Sequence, residues 1–252
     1  MNSQTEDLVQ KKQVRERYNY EVKRYEASRF GSPGGRFFDF IEKNYASQFL
    51  IPGSVLHVGT ATGRFVSYLS NLGFHYTGLE ISDLMAEATK TRISRESVVA
   101  DIIQADGENP PIRLSSFDNV LSVRSFHFLP QPEKFLKGAY EILRPGGRVI
   151  ASFELHTRLR YASVFFRILP EPLPRRNFYT IPDVASYVRN SGFRVIWAGR
   201  PTKLPLLGYW RMKWPLVPLL RKTHDRLPNI LGTVGLVVGE KPYYDGSHFR
   251  AE

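Results

Sequence analysis

From Ser54 onward, apolar runs of strand length alternate with stretches of helical period, and this alternation constrains the fold more than any other feature of the chain. SVLHV (54–58), HYTGLE (75–80), SVVADIIQA (97–105), FDNVLSV (117–123) and GRVIASFE (147–154) each carry several apolar residues and are bounded by Gly, Pro, Asn or Asp. Between them, residues 62–72 place Phe65, Val66, Leu69 and Leu72 on one helix face, and Ser82 stands where it can cap a helix over 83–95. A third helix over 131–143 ends at Arg144-Pro145-Gly146-Gly147. A helix over 181–190 and strands over 193–198 and 233–238 complete the pattern. The expected fold is therefore α/β, a doubly wound, seven-stranded, mostly parallel sheet with helices on both faces. Ahead of it, residues 5–28 and 35–48 read as helices rich in aromatics and charge, a lid over 1–50 on a main domain over 51–252.

Composition narrows the chemistry. A chain of 252 residues, 42% of them hydrophobic, can bury one substantial core. With no cysteine there is no disulfide framework, thiolate zinc site or cysteine nucleophile, so the chemistry must use oxygen, nitrogen or a borrowed cofactor, and no metal site is expected. Neither a secretory apolar core in MNSQTEDLVQKKQVRERYNYE nor an uninterrupted bilayer-length apolar run is present, so the expectation is a soluble, cytoplasmic chain. The formal charge of +11 is not spread evenly. Residues 155–226 hold fourteen Lys and Arg against Glu171, Asp183 and Asp225, and the rest of the chain balances.

The clearest chemical signal is Val55-Leu56-His57-Val58-Gly59-Thr60-Ala61-Thr62-Gly63-Arg64-Phe65, a strand running through a small-residue turn toward a helix. Such a turn lets backbone approach a ligand closely, and a helix start offers bare N–H donors. A dinucleotide-binding turn wants glycine at 59, 61 and 64, where this chain has Gly59, Ala61 and Arg64, so NAD is disfavoured; no Gly-Lys-Ser/Thr follows, so a P-loop is absent. Glu80 closes the second strand, where a carboxylate can accept from both hydroxyls of a ribose. Asp106 follows the third, where its carboxylate and the Gly107 N–H can read the donor and acceptor edge of an adenine.

With these residues in order, the chain resembles a class I S-adenosylmethionine-dependent methyltransferase of the small-molecule, type 11-like kind, with a Rossmann-like fold. The turn at 55–65 looks like the family's first motif, Tyr76 to Ser82 like its ribose-binding strand end, and Ala105 to Ile112 like its adenine-binding segment. Phe117 to Val120 with Phe126 and His127 resembles the fourth strand, and Ile142 to Gly147 the turn into the fifth. The resemblance implies S-adenosylmethionine as cofactor and S-adenosylhomocysteine as product. It implies cofactor contacts at His57, Gly59, Thr60, Ala61, Gly63, Phe65, Glu80, Ile81, Asp106, Gly107 and Arg124. Two positions depart from the family, which usually has an acid at 57 and glycine at 61; a neutral imidazole at His57 complements the cofactor's ammonium less well.

Tyr18, Tyr25 and Arg29 resemble the variable leading helices that fold over cofactor and substrate, with Tyr18 and Tyr25 on one helix face. Candidate proton acceptors belong at the sheet's carboxyl edge, which points to His127 after the fourth strand and to Glu154 and His156 after the fifth. The basic, tryptophan-bearing and proline-broken segments at 155–180 and 200–230 read as a cap. They suggest a hydrophobic, lipid-like acceptor, methylated on oxygen, carbon or nitrogen, and peripheral contact with an anionic membrane surface. Two other readings stay open. One is an RNA methyltransferase using 155–226 as a groove, although basic charge alone gives nucleic acid affinity without specificity; the other is a non-catalytic, methyltransferase-like scaffold. Oligomeric state is not read from the sequence.

Overall fold

The computed structural model describes residues 3–156, 177–203, 217–219, 226 and 232–243. Among the described residues seven strands form one sheet: β1 (Ser54–Val58), β2 (His75–Glu80), β3 (Ala100–Gln104), β4 (Phe117–Val123), β5 (Leu143–Glu154), β6 (Arg194–Gly199) and β7 (Val234–Glu240). Their spatial order is β3-β2-β1-β4-β5-β7-β6, parallel throughout except for β7, which runs antiparallel to both neighbours. The sheet is therefore mostly parallel and doubly wound, as the alternation predicts.

Among the described residues, seven helices of six residues or more accompany it: α1 (Ser3–Glu21), α2 (Tyr25–Phe30), α3 (Pro33–Ser47), α4 (Val66–Asn71), α5 (Asp83–Glu96), α6 (Pro132–Ile142) and α7 (Ile181–Asn190). The two-residue period of β1 divides the core. Leu56 and Val58 join Val120, Phe135, Leu136 and Val184 under α6 and α7, while Val55 joins Phe65, Val66, Leu69 and Tyr76 under α4. Ser82 caps α5 as expected, its hydroxyl accepting from the Met85 N–H at 3.1 Å.

Four boundaries differ from the sequence expectations by three residues or more. The helix expected from Thr62 begins at Val66, because Gly59, Ala61 and Gly63 all take positive φ and such a backbone cannot be helical. The third strand starts at Ala100 and not Ser97, since Ser97 ends α5 in the left-handed conformation (φ 51°) and the Val98 N–H returns to the Ile93 carbonyl. The fifth strand starts early, at Leu143, and absorbs Arg144-Pro145-Gly146-Gly147 as a register shift against β4. The expected 5–28 helix breaks at 22–24, so Tyr25 opens α2 and its ring is buried against Tyr18 and Phe30.

Among the described residues no helix is long and apolar enough to cross a membrane. Most of the basic cap expected at 155–180 and 200–230 lies outside the described residues.

Candidate cofactor site

The strand order reverses between β1 and β4, and in open α/β sheets the crevice outside the carboxyl ends at that point takes ligands. A cleft lies there, its roughly 700 Å³ of empty space including the open solvent at its mouth. Its walls are Val58, Gly59 and Ala61 from the first turn, Leu79, Glu80 and Ile81 from the end of β2, and Ala105, Asp106 and Gly107 after β3. Val123, Arg124, Ser125, Phe128, Leu129 and Pro130 close one side, and Lys11, Val14, Tyr18 and Tyr25 reach in from the leading helices.

The turn is pinned from three directions. At Gly59 (φ +75°) an added Cβ would lie 2.4 Å from the Ser125 Cβ, and the Ser125 hydroxyl donates to the Val58 carbonyl at 2.7 Å, so the two crossing loops touch through a glycine. The Ala61 N–H donates to Glu80 Oε2 at 2.8 Å, and the Thr89 hydroxyl donates to the Ala61 carbonyl at 2.7 Å. Ala61 itself sits at φ 51°, a conformation that costs an L-residue roughly 1–2 kcal/mol and glycine almost nothing. Ala61→Gly should therefore leave stability unchanged or raise it by about 0.5 kcal/mol, the relief being partly offset by a freer unfolded chain. Urea unfolding checks this, and a loss of about 1 kcal/mol or more would mean that the methyl group packs favourably.

Glu80 is buried, with Oε1 accepting from the Ser82 N–H at 3.0 Å while Oε2 takes Ala61. Burial pushes its pKa up, and the N–H groups of Ser82, Ala61 and Ile81 pull it back only in part. Asp106 is held on both oxygens: Oδ1 accepts from the Glu108 N–H at 3.0 Å, and Oδ2 accepts from Asn109 Nδ2 at 3.0 Å and Lys11 Nζ at 2.7 Å. Burial would raise its pKa, but Lys11 and these donors outweigh that and hold the carboxyl below its ordinary value.

His57, Thr60, Gly63 and Phe65 do not line the cleft. His57 is buried beneath the turn, its Nδ1 2.9 Å from the Tyr76 hydroxyl, which Thr60 Oγ1 also bonds; its Nε2 has no hydrogen-bond partner among the described residues. Burial, with help from Arg64, pushes its pKa down to about 3, so the imidazole is neutral and carries no charge toward the cleft. Arg124 does line the cleft, at φ 54°, with Nε 3.4 Å from Glu42 Oε1. Tyr18 meets Phe128 edge-on at 5.6 Å and Tyr25 at 6.0 Å. Arg29 stands off the cleft, its guanidinium 4.2 Å over the Tyr25 ring and 2.6 Å from Glu21.

None of the three proton-acceptor candidates lines the cleft. His127 is buried in a short 3-10 turn (Phe126–Phe128) with its ring 4.3 Å from that of Phe128; Glu154 is buried at the end of β5; His156 is exposed. Sequence reasoning missed Lys11 and Val14, although both were within reach, since they share a helix face with Tyr18 at i, i+3 and i+7. It also missed Val58, Leu79, Phe128, Leu129 and Pro130, which flank chosen residues and differ from other core residues only in facing an open space.

Comparison with known proteins agrees with this geometry. Residues 56–151 match a family model described as a methyltransferase domain. A demethylmenaquinone methyltransferase of Tropheryma whipplei is 30% identical over 135 residues, covering 53% of this chain and 55% of that protein. A phthiotriol/phenolphthiotriol dimycocerosates methyltransferase of Mycobacterium ulcerans is 34% identical over 109 residues, covering 42% and 37%. The chain thus spans about half the length, or less, of these relatives. Among solved structures, a SAM-dependent methyltransferase from Thermotoga maritima superimposes with a TM-score of 0.67 at 22% identity, covering 89% of this chain and 98% of that one, a likeness of fold alone. With the ordered motifs and the switch-point cleft, these matches make residues 56–151 similar to a methyltransferase domain.

Proposed function

We propose that this protein transfers a methyl group from S-adenosylmethionine to a small, hydrophobic, lipid-like acceptor, on oxygen, carbon or nitrogen. The observation that carries the reading is the convergence of the Ala61 turn, Glu80 and Asp106-Gly107 from three adjacent strand ends on one cleft. The residues fit the cofactor's nucleoside half. Glu80 has an acceptor carboxylate for the ribose hydroxyls, Asp106 and the Gly107 N–H can read the Watson–Crick edge of adenine, and Leu79, Ile81 and Phe128 offer apolar faces to a flat base.

When bound, the cofactor supplies a methyl group on a sulfonium, activated for in-line displacement. The chain's own tasks are to align the acceptor and exclude water. Tyr18 and Tyr25, from α1 and α2, stand on the cleft wall where they can shield it. No proton transfer is placed on His127, Glu154 or His156. The hydrophobic acceptor is supported by the relatives' names, which speak of a menaquinone precursor and of phthiotriol dimycocerosates, and by the apolar, basic composition of 155–226.

Calorimetric titration with S-adenosylmethionine and, separately, S-adenosylhomocysteine should show saturable one-site binding. A folded protein that binds neither removes the enzyme reading in favour of a scaffold. A second arm incubates the protein with labelled cofactor and either a demethylquinone or total RNA. Label moving into the organic extract supports the acceptor class, whereas label in the RNA alone overturns it.

A further inference from the structure

Lys11 is a cleft residue that the reading above does not use. It projects from α1 between two carboxylates, with Nζ 2.7 Å from Asp106 Oδ2 and 2.6 Å from Glu108 Oε2, and its side chain is only 17% exposed. Glu108 is fixed in turn, its side chain fully covered and its Oε1 accepting the Gln131 N–H at 2.6 Å. Helix α1 is tied down on either side of Lys11. Gln10 Nε2 donates to the Phe128 carbonyl at 3.1 Å, Arg15 pairs with Asp83 at 3.0 Å, and Asn19 bonds Asp83 at 2.8 Å and the Ser82 hydroxyl at 2.6 Å. The ammonium is thus held at a fixed point of the wall. Burial alone would lower its pKa, but Asp106 and Glu108 outweigh burial and keep it charged.

A lysine that merely stapled α1 to the sheet would need to face only its carboxylates. This one also faces the cleft, beside the acid that stands ready for the adenine amino group. An ammonium has three N–H donors, and the two carboxylates take two, leaving one that nothing claims among the described residues. The adenine amino group lies between two ring acceptors, N1 and N7. With the amino group on Asp106 and N1 on the Gly107 N–H, N7 faces the other flank of Asp106, and a donor-only group is what it can pair with. The geometry points to Lys11 as a nucleobase-binding residue, donating to N7 of the cofactor's adenine, so that α1 forms part of the nucleoside site. This rests on the cofactor reading above.

The test is calorimetry on the full chain with two ligands, S-adenosylhomocysteine and its 7-deaza analogue, in which N7 is replaced by C–H. The wild-type protein should bind the analogue about tenfold more weakly, the scale of one hydrogen bond to a charged group. Lys11→Met should bind S-adenosylhomocysteine about tenfold more weakly than wild type and no longer distinguish the two ligands, because the missing contact is the same in both experiments. Equal binding of the two ligands by the wild type would overturn the inference, and so would a preference that persists in Lys11→Met. If Lys11→Met fails to fold by circular dichroism, the wild-type comparison decides alone. Tight binding without regard to N7 sinks only the Lys11 role, whereas a wild type that binds neither ligand takes the cofactor reading with it.

Discussion

Glu80→Ala should weaken S-adenosylhomocysteine binding about a hundredfold or more while leaving a folded protein. Two ribose hydroxyls donating to a carboxylate make two charge-assisted hydrogen bonds, and each such bond exceeds the roughly 1.4 kcal/mol that corresponds to tenfold in affinity. The variant also leaves the Ala61 and Ser82 N–H groups without their acceptor, at 2.8 and 3.0 Å in the wild type. Each orphaned donor costs about 1 kcal/mol or more, so a fall in melting temperature of several degrees accompanies the loss of affinity. Glu80→Gln separates the two effects. An amide oxygen can still accept one N–H, so stability largely returns, while affinity stays at least about tenfold down. Titration calorimetry beside thermal melts measures both, and unchanged affinity in a folded Glu80→Ala variant would mean that the carboxylate serves the turn alone.

Arg64→Leu should destabilise the protein by about 3 kcal/mol, lowering its melting temperature by roughly 6–12 °C. Arg64 follows directly after the turn with its side chain only 9% exposed and spans to α3, with Nη1 2.5 Å from Asp39 and Nη2 2.5 Å from Glu42, and its guanidinium lies 4.7 and 4.6 Å over the rings of Phe30 and Phe65. Leucine replaces the stem but leaves the Glu42 carboxylate buried with, among the described residues, Arg124 as its remaining cation, at 3.4 Å. The expected loss sits at the low end for a broken buried pair because that second cation remains. The same substitution should change the acid limb of the stability curve. Burial would raise the Asp39 pKa, but Arg64 and Lys43 outweigh it and hold the carboxyl below 3.8. A depressed folded-state pKa contributes stability that is present above the unfolded value and is lost as pH falls through the folded one. Wild-type stability should therefore decline below about pH 4, and part of that decline should be missing in Arg64→Leu. Denaturant melts from pH 7 to pH 3 measure it, and parallel curves for the two proteins would remove Arg64 as the cause.

The sheet was legible because its strands are short apolar runs with turn residues at both ends, and β1, β2 and β4 begin and end where the sequence places them. Glu80 and Asp106 were legible for a related reason: a polar residue at the carboxyl end of a parallel strand has few places to be other than the crevice. What escaped was set by contacts between distant parts of the chain. The pairing of Arg64 with Asp39 and Glu42, and of Lys11 with Asp106, joins a helix surface to a strand end across 22 to 95 residues, and no local period encodes it. The break after Glu21 follows from where the Tyr25 ring packs, which is a tertiary matter, and helical period alone runs straight through it. His57 was ambiguous by nature, since an imidazole in an apolar strand is equally at home facing a ligand or bonding Tyr76 beneath it.

The placement of β7 bears on how the sheet assembles. β7 lies between β5 and β6, with Arg148 opposite Glu240 on one side and Arg194 opposite that same residue on the other. The last of the described strands in sequence is thus an interior one, and among the described residues β6 has no other neighbour in the sheet. During synthesis, β1 to β5 can pair as they emerge, but β5 and β6 each present an open edge until residues 234–240 arrive. Closing that gap spans more than ninety residues for the Arg148–Glu240 pair, the kind of non-local contact that slows folding. The interval between the synthesis of β6 and that of β7 is therefore when an unpaired strand edge is most open to association with another chain.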